Sequence, residues 1–366
     1  MAVRRKTGFF QKIRFLQITG HFGKTEPDRK IHSGGYKMRA VITGVGHYVP
    51  EHILDNHDLE KMVDTSDEWI LSRTGIRQRH ILEKNRGTSF MAAKAARMVL
   101  EQRQITAKEL DLIILATVTP DMPVPSAVSL VQKELGADKC WGFDLNGGCS
   151  GFLYALVTGT QFIASGQHQK VMVIGADKMS SIIDYQDRNT CVIFGDAAGA
   201  VLLEGSEDEE LGIRDFDLHL DGEGAEYLYV PAGGSLHPAS AETVAKRMHY
   251  VFQDGKAVFK RAVTGMSEIS RKILDRNGLR HEDIKYLIPH QANFRIIDSV
   301  AKKLELTPDQ VIVNIENYGN TTAATIPLAM SEAYGKRMLN KGDWLLLSAF
   351  GAGFTWGSVL MRWSLE

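Results

Sequence analysis

What this chain lacks sets its first limits. It has three cysteines in 366 residues, Cys140, Cys149 and Cys191. Three thiols cannot pair completely, and their spacing fits neither a disulfide framework nor a zinc site. A reducing compartment is the simple reading. No apolar run approaches the roughly 18 residues that would span a bilayer, so no membrane role is expected. No Walker loop, metal-ligand spacing or glycosidase carboxylate pair emerges, and Gly44-Val45-Gly46 lacks the third glycine of a dinucleotide fingerprint. Strong charge of one sign is absent too, with a net charge of −1. That value hides an asymmetry: residues 1–37 hold nine Lys/Arg against Glu26 and Asp28, which leaves the rest near −8. The folded part is therefore expected to have no general affinity for nucleic acid.

The basic head, residues 1–37, has two readings. It is an upstream misreading or disordered tail before a native start at Met38, or it is an organelle transit peptide. The first is preferred, because residues 39–46 already read as an opening strand, and it makes the protein cytoplasmic.

What is present is a large apolar fraction, 44%, enough for two domains or one double domain. From residue 38 strands and helices alternate, which predicts α/β with helices covering a buried sheet. Strands are expected at 39–45, 111–117, 170–175, 198–204, 285–289, 343–349 and 357–363. Helices are expected at 88–103, 125–135, 150–165, 257–276, 291–304 and 321–338. Gly159 lies on the apolar face of its helix and permits close packing, and Gly166 is a plausible stop. Pro327 is a misfit inside the last helix, costing up to about 3 kcal/mol.

Two stretches repeat in order. DLIILA from Asp111, a helix opening at Cys149, KVMVIG from Lys170 and FGDAAGAVLLE from Phe194 form the first. DIKYLIP from Asp283, a helix opening at Asn320, DWLLLSA from Asp343 and FGAGFTWGSVL from Phe350 form the second. Strand to helix opener spans 38 and 37 residues, and opener to next strand 21 and 23. The match predicts a duplication, with halves at 38–208 and 209–366. It also places Cys149 and Asn320 at equivalent points facing one cavity.

Cys149 sits in Asn146-Gly147-Gly148-Cys149-Ser150-Gly151, where two glycines allow a sharp turn into a helix. A thiol at a helix N-terminus would feel the dipole and have a lowered pKa, and its own N–H could face an oxyanion. The bland alternative is a small buried turn residue, and that reading is preferred for Cys140 and Cys191. His290, in Pro-His-Gln-Ala-Asn, ends a strand where α/β pockets gather polar groups, or is a bonded core histidine. Asn320 could be a helix cap, and the Phe350-Gly351-Ala352-Gly353 turn a hairpin.

Taken together, NGGCSGF at Cys149, PHQAN at His290, GNTTAA at Asn320, AFGAGFTWGS near the C-terminus and DTSDEWILSRTGIRQRH from Asp64 resemble the signature blocks of the 3-oxoacyl-[acyl-carrier-protein] synthase III family. The likeness covers essentially residues 38–366; residues 231–250 extend the loop between the halves beyond shorter members. It implies a thiolase-like fold of two duplicated halves in α-β-α-β-α layers. It implies condensation of an acyl-CoA primer with malonyl-acyl carrier protein, with no metal and no cofactor, acyl-CoA being a substrate. Cys149 is the implied nucleophile, and His290 and Asn320 the donors to the malonyl thioester. Backbone N–H groups of Cys149 and of Ala352 or Gly353 hold the oxyanion, with Ala352 favoured. By the resemblance Trp69 and Arg188 would flank the CoA adenine and Arg73 would lie near its phosphates; without it they read as an exposed Trp and two surface arginines. Lys260, Arg295, Lys302 and Lys303 resemble the basic surface that receives the carrier protein, with a plain solvated helix face as the alternative for Lys302 and Lys303. Pro123-Val124-Pro125-Ser126 resembles a loop that crosses a homodimer interface to close the partner's acyl pocket. Val124 in place of a phenylalanine implies room for primers larger than acetyl.

Rivals are a type III polyketide-like condensing enzyme, a papain-like cysteine peptidase (the order Cys, His, Asn fits) and a non-catalytic carrier-protein binder. The Cys lies far from the N-terminus, neither Trp nor Tyr follows it, and no disulfide set accompanies it. These features argue against the peptidase.

Overall fold

The computed structural model describes residues 38–366; the expectations for residues 1–37 lie outside the described residues. Two sheets carry the fold. The first contains Arg39–Tyr48, Leu112–Ala116, Trp141–Leu145, Lys170–Asp177 and Ala197–Ser206. Its spatial order is 39–48, 197–206, 170–177, 112–116, 141–145. The second contains Gly212–Leu220, Tyr286–Pro289, Trp344–Gly351 and Thr355–Arg362, in the order 286–289, 344–351, 355–362, 212–220.

The sheets have one topology. In each, an antiparallel edge strand, 39–48 or 212–220, pairs with the strand 197–206 or 355–362. That strand pairs antiparallel with 170–177 or 344–351, which pairs parallel with 112–116 or 286–289. The first sheet then adds 141–145 in parallel. The second keeps only a single parallel bridge there, Leu287 with Val311. Four strands of each sheet thus correspond in order, as the duplication read from the sequence expects.

Side-chain alternation explains the layers. Leu112, Ile114 and Ala116 face a core shared by both halves, with Ile288, Leu345, Leu347 and Val359 on its far side. Ile113 and Leu115 face outward into a cluster with Met91, Ala96, Val99 and Val131 of helices Thr88–Arg103 and Ala127–Leu135. Leu346 and Phe350 turn likewise to Val263, Met266 and Val300 of Gly255–Arg276 and Phe294–Lys303. The shared core also takes Phe152, Leu156, Ile326 and Met330 of the central helices Gly151–Ala164 and Thr325–Gly335. The result is the expected α-β-α-β-α stack. Each fully buried Leu or Ile in it contributes about 1.5–3 kcal/mol. Gly159 lets its helix approach the first sheet, for an added Cβ would sit 3.0 Å from Leu203 and Val173.

Three expectations need correction. The last helix begins at Thr325, not 321, after a short turn at Thr322–Ala324. Pro327 therefore falls in the first turn, where its missing N–H has no helical partner to lose. Strand Trp141–Leu145 escaped notice because it is a sheet edge with mixed exposure. Gly142 in it passes tightly over the backbone: an added Cβ would sit 2.5 Å from the Ile113 carbonyl. Strand Gly212–Leu220 escaped because a register shift opposite Leu360 and Met361 breaks its alternation of apolar and charged residues.

Candidate active site

The two halves meet at a cavity of about 520 Å³ lined by Asn146, Cys149, His290, Asn320, Phe350 and Ala352, among others. The sequence predicts the first ingredients of this site, and backbone packing assembles them. Cys149 lies in the turn Gly148–Ser150, just before its central helix. Gly148 is left-handed, with φ 56°, and an added Cβ there would come 2.8 Å from the Ala352 nitrogen. A Cβ on Gly351 would come 2.5 Å from the nitrogen of Cys149. Only glycines let these two turns press together and bring the Cys149 and Ala352 backbones side by side. Two hydroxyls tie the contact: Ser150 Oγ donates to the Thr355 carbonyl at 3.1 Å, and Thr355 Oγ1 to the Gly147 carbonyl at 2.8 Å.

Asn320 is held by the first half's Phe-Gly turn. Its N–H donates to the Ile193 carbonyl at 2.9 Å, and its carbonyl accepts from Gly195 N–H at 3.1 Å. Phe194 bridges it in parallel. So the Phe-Gly turn of each half packs against the segment that leads into the other half's central helix. The Asn320 Oδ1 accepts the Thr322 N–H at 2.9 Å, which assigns the amide's NH₂ as the end free for the cavity. Thr322 itself is left-handed, φ 52°. Its hydroxyl donates to Asp177 Oδ2, and the Ala323 N–H reaches the same oxygen at 3.3 Å. Asp177, with no exposed surface, also accepts from Thr117, Val118 and Thr119.

His290 follows strand Tyr286–Pro289 and is 1% exposed. Its N–H donates to the Ser348 carbonyl at 2.8 Å, and Nδ1 lies 2.8 Å from Thr325 Oγ1. Burial lowers its pKa to about 3, so the imidazole is neutral. Burial pushes the Cys149 thiol up to about 12, and the nearby Asp177 carboxyl acts in the same direction. The expected lowering is therefore corrected. Cys149 sits in a tight turn before the helix, and loss of hydration outweighs the hydrogen bond from its own N–H. The resting pair is a neutral thiol and a neutral imidazole. Cys140 and Cys191, each pushed up to about 11 by burial, lie outside the cavity lining.

The remaining expected residues lie elsewhere. The Arg188 guanidinium sits 4.5 Å over the Trp69 ring and donates to the Asp64 carbonyl at 2.8 Å. They are in direct contact, so a purine between them needs the guanidinium to lift away. Arg73 is exposed, and its carbonyl accepts from Asn293 Nδ2 at 2.9 Å. Lys260, Arg295, Lys302 and Lys303 are all exposed; Arg295 stands 5.6 Å over the Phe259 ring, and Lys302 pairs with Asp298 at 2.7 Å. Val124 is 83% exposed and does not line this chain's cavity. Ala352 lines the cavity and Gly353 does not. The long loop holds a short helix, Ala241–Ala245, between the paired segments Leu228–Tyr229 and Phe252–Gln253, which themselves wall the cavity.

Sequence reasoning missed Asp177, Thr322, Thr325 and the support from Phe194. The repeat held a signal for Phe194, because its counterpart Phe350 opens the turn beside Cys149. Nothing local marks Asp177, whose partners come from both halves.

Among known proteins, residues 143–222 match the profile of 3-oxoacyl-[acyl-carrier-protein (ACP)] synthase III, and residues 274–363 that of its C-terminal region. The chain is 53% identical to beta-ketoacyl-[acyl-carrier-protein] synthase III of Chlorobium chlorochromatii over 328 residues, 89% of this chain and 100% of the relative. It is 55% identical to the protein of that name from Koribacter versatilis over 327 residues, 89% and 98% of the two chains. The crystal structure of 3-oxoacyl-[acyl-carrier-protein] synthase III from Aquifex aeolicus superposes with a TM-score of 0.81 at 43% identity, covering 88% of this chain and 100% of that one.

Proposed function

This chain belongs to the 3-oxoacyl-[acyl-carrier-protein] synthase III family, and from that premise we propose how its cavity divides the reaction between its two halves. The protein is an acyltransferase-type condensing enzyme that opens fatty acid biosynthesis, joining an acyl-CoA primer to malonyl-acyl carrier protein. The chemistry uses neither metal nor redox cofactor. The observation that carries the site reading is the convergence of Cys149, His290 and Asn320 on one cavity.

In the first stage the Cys149 sulfur attacks the acyl-CoA carbonyl and gives up its proton. The developing oxyanion lies against the N–H groups of Cys149 and Ala352. Collapse expels CoA thiolate, which takes a proton, leaving acyl-Cys149 and CoA. Each such backbone donor typically contributes about 2.7–4 kcal/mol to the transition state. In the second stage the malonyl thioester carbonyl accepts from His290 and Asn320. Loss of CO₂ leaves an enolate whose oxygen those donors stabilise. Its carbon attacks the acyl-Cys149 carbonyl and releases 3-oxoacyl carrier protein and the Cys149 sulfur, which is reprotonated. Two neutral donors suit this step, since neither must be deprotonated first.

Trp69, Arg188 and Arg73 are read as the CoA subsite, and Lys260, Arg295, Lys302 and Lys303 as the landing surface for the acidic carrier protein. The halves are read as 38–208 and 209–366. We place the enzyme in the cytoplasm as a homodimer; among the described residues no helix is long and apolar enough to cross a membrane. Two observations support the dimer. Val124 is exposed and away from its own cavity. Its loop is followed by a helix pinned to the open sheet edge, Asp144 accepting from Ala127 and Val128 N–H at 2.6 and 2.8 Å. Val124 would then border the partner's acyl pocket and leave room for larger primers. Intact-mass analysis after incubation with acetyl-, butyryl- and isobutyryl-CoA tests the reading. An acyl adduct on Cys149, with the four-carbon primers competing well, is expected; no adduct with any primer contradicts it.

A further inference from the structure

A neutral imidazole carries one proton, so whatever bonds to one ring nitrogen decides what the other offers. Thr325 Oγ1, at 2.8 Å, is the side-chain partner of His290 Nδ1 among the described residues. Thr325 begins a central helix, is 2% exposed and does not line the cavity. Its hydroxyl has one proton and two acceptors in reach, Nδ1 and the Thr322 carbonyl at 3.0 Å. The Thr322 carbonyl also accepts the Thr325 backbone N–H, and its second lone pair stays within reach of the hydroxyl. Among the described residues no second partner reaches Nδ1, and the hydroxyl lies nearer to it than to the carbonyl, 2.8 against 3.0 Å.

We propose that the Thr325 hydroxyl donates to His290 Nδ1 and thereby fixes the tautomer that presents Nε2–H to the cavity. This rests on the reading that His290 donates to the malonyl thioester. Thr325 is a positioning residue; it touches no substrate. The same short segment then orients both donors, since the Thr322 N–H holds Asn320 Oδ1 and turns its NH₂ to the cavity. The opposite hydroxyl rotation would put the proton on Nδ1 and turn a lone pair toward the carbonyl oxygen, opposing the second stage.

The test uses the full chain labelled with ¹⁵N-histidine, with the His290 ring signals assigned by their loss in His290→Ala. Acyl loading and malonyl decarboxylation are measured separately on wild type, Thr325→Val, Thr325→Ser and His290→Ala. The wild type should show Nε2–H. Thr325→Val should lose that tautomer and slow the malonyl stage by about ten-fold or more, the scale of one hydrogen bond to a reacting group. Its loading should stay within about two-fold, and Thr325→Ser should restore both tautomer and rate. A wild-type spectrum showing Nδ1–H overturns the proposal, even if the valine variant does not fold. So does a valine variant with an unchanged malonyl stage while His290→Ala is slow; the donor reading then survives without Thr325. An unimpaired His290→Ala removes the donor reading and this proposal with it.

Discussion

The two halves share one strand order, yet they deliver different chemistry from neighbouring, not equivalent, positions. The turns Gly148–Ser150 and Thr322–Ala324 match, which pairs Cys149 with Ala323 and Asn320 with Asn146 and corrects the expected equivalence. In the first half, the turn before the central helix carries the thiol of Cys149; in the second the amide of Asn320 stands two residues ahead of the turn. Each is braced by the other half's Phe-Gly turn, Gly351 against Cys149 and Phe194 against Asn320. The difference lies in how each is held. Cys149 is placed by glycine contacts between backbones, so that two N–H groups come side by side. Asn320 is held at its backbone by Ile193 and Gly195, and its amide is aimed by the Thr322 N–H, with Thr322 anchored on Asp177. A nucleophile with flanking N–H groups needs close backbones, whereas a donor needs orientation. The duplicated scaffold supplies position, and local bonding supplies role.

Removing the unique product of the first half should have the largest effect. Cys149→Ala is expected to abolish acyl transfer from acyl-CoA with the fold retained; an acyl adduct on that variant would falsify the nucleophile assignment. Next comes the backbone contact. Gly148→Ala places a Cβ on a left-handed residue 2.8 Å from the Ala352 nitrogen. It should destabilise the protein by about 1–2 kcal/mol and slow loading by roughly 10²–10³. A variant with wild-type melting and loading would mean the turns can separate freely.

Smaller effects separate the surface and the buried donor. Arg295→Glu should weaken use of malonyl-carrier protein at low salt, with loading unchanged; equal carrier-protein kinetics at low ionic strength would remove Arg295 from the docking surface. Burial of neutral His290 makes a pH prediction. Its pKa is about 3 when folded against 6.5 as the ordinary value. Below pH 6.5 the unfolded chain binds a proton the native state refuses, so this site's stability is complete above 6.5 and declines as pH falls toward 3. Unfolding of His290→Gln should depend less steeply on pH across that window; an identical slope would show that His290 titrates normally.

Much of this was legible in the sequence. Helix Thr88–Arg103 was predicted to the residue, and the strands of the repeat to within a few, because buried strands and amphipathic helices write their periods plainly. Cys149, His290 and Asn320 were each ambiguous alone and were raised by the repeat and the family blocks. The Cys149 pKa was misjudged because burial is a property of the assembled cavity, while the dipole argument is local. Asp177, Thr322 and Thr325 went unseen for a related reason. Asp177 gathers donors from segments up to 146 residues away, and Thr325 meets His290 across 35. No window of sequence contains such pairs.

The most direct measurement follows acyl-Cys149 by intact mass in Asn320→Ala, first with acyl-CoA and then with malonyl-acyl carrier protein. If the halves divide the reaction as described, the acyl mass appears at close to the wild-type rate. It then persists on addition of malonyl-carrier protein, while in wild type it is consumed. An Asn320→Ala enzyme that never acquires the acyl mass, or that loses it to malonyl-carrier protein as fast as wild type, contradicts the division.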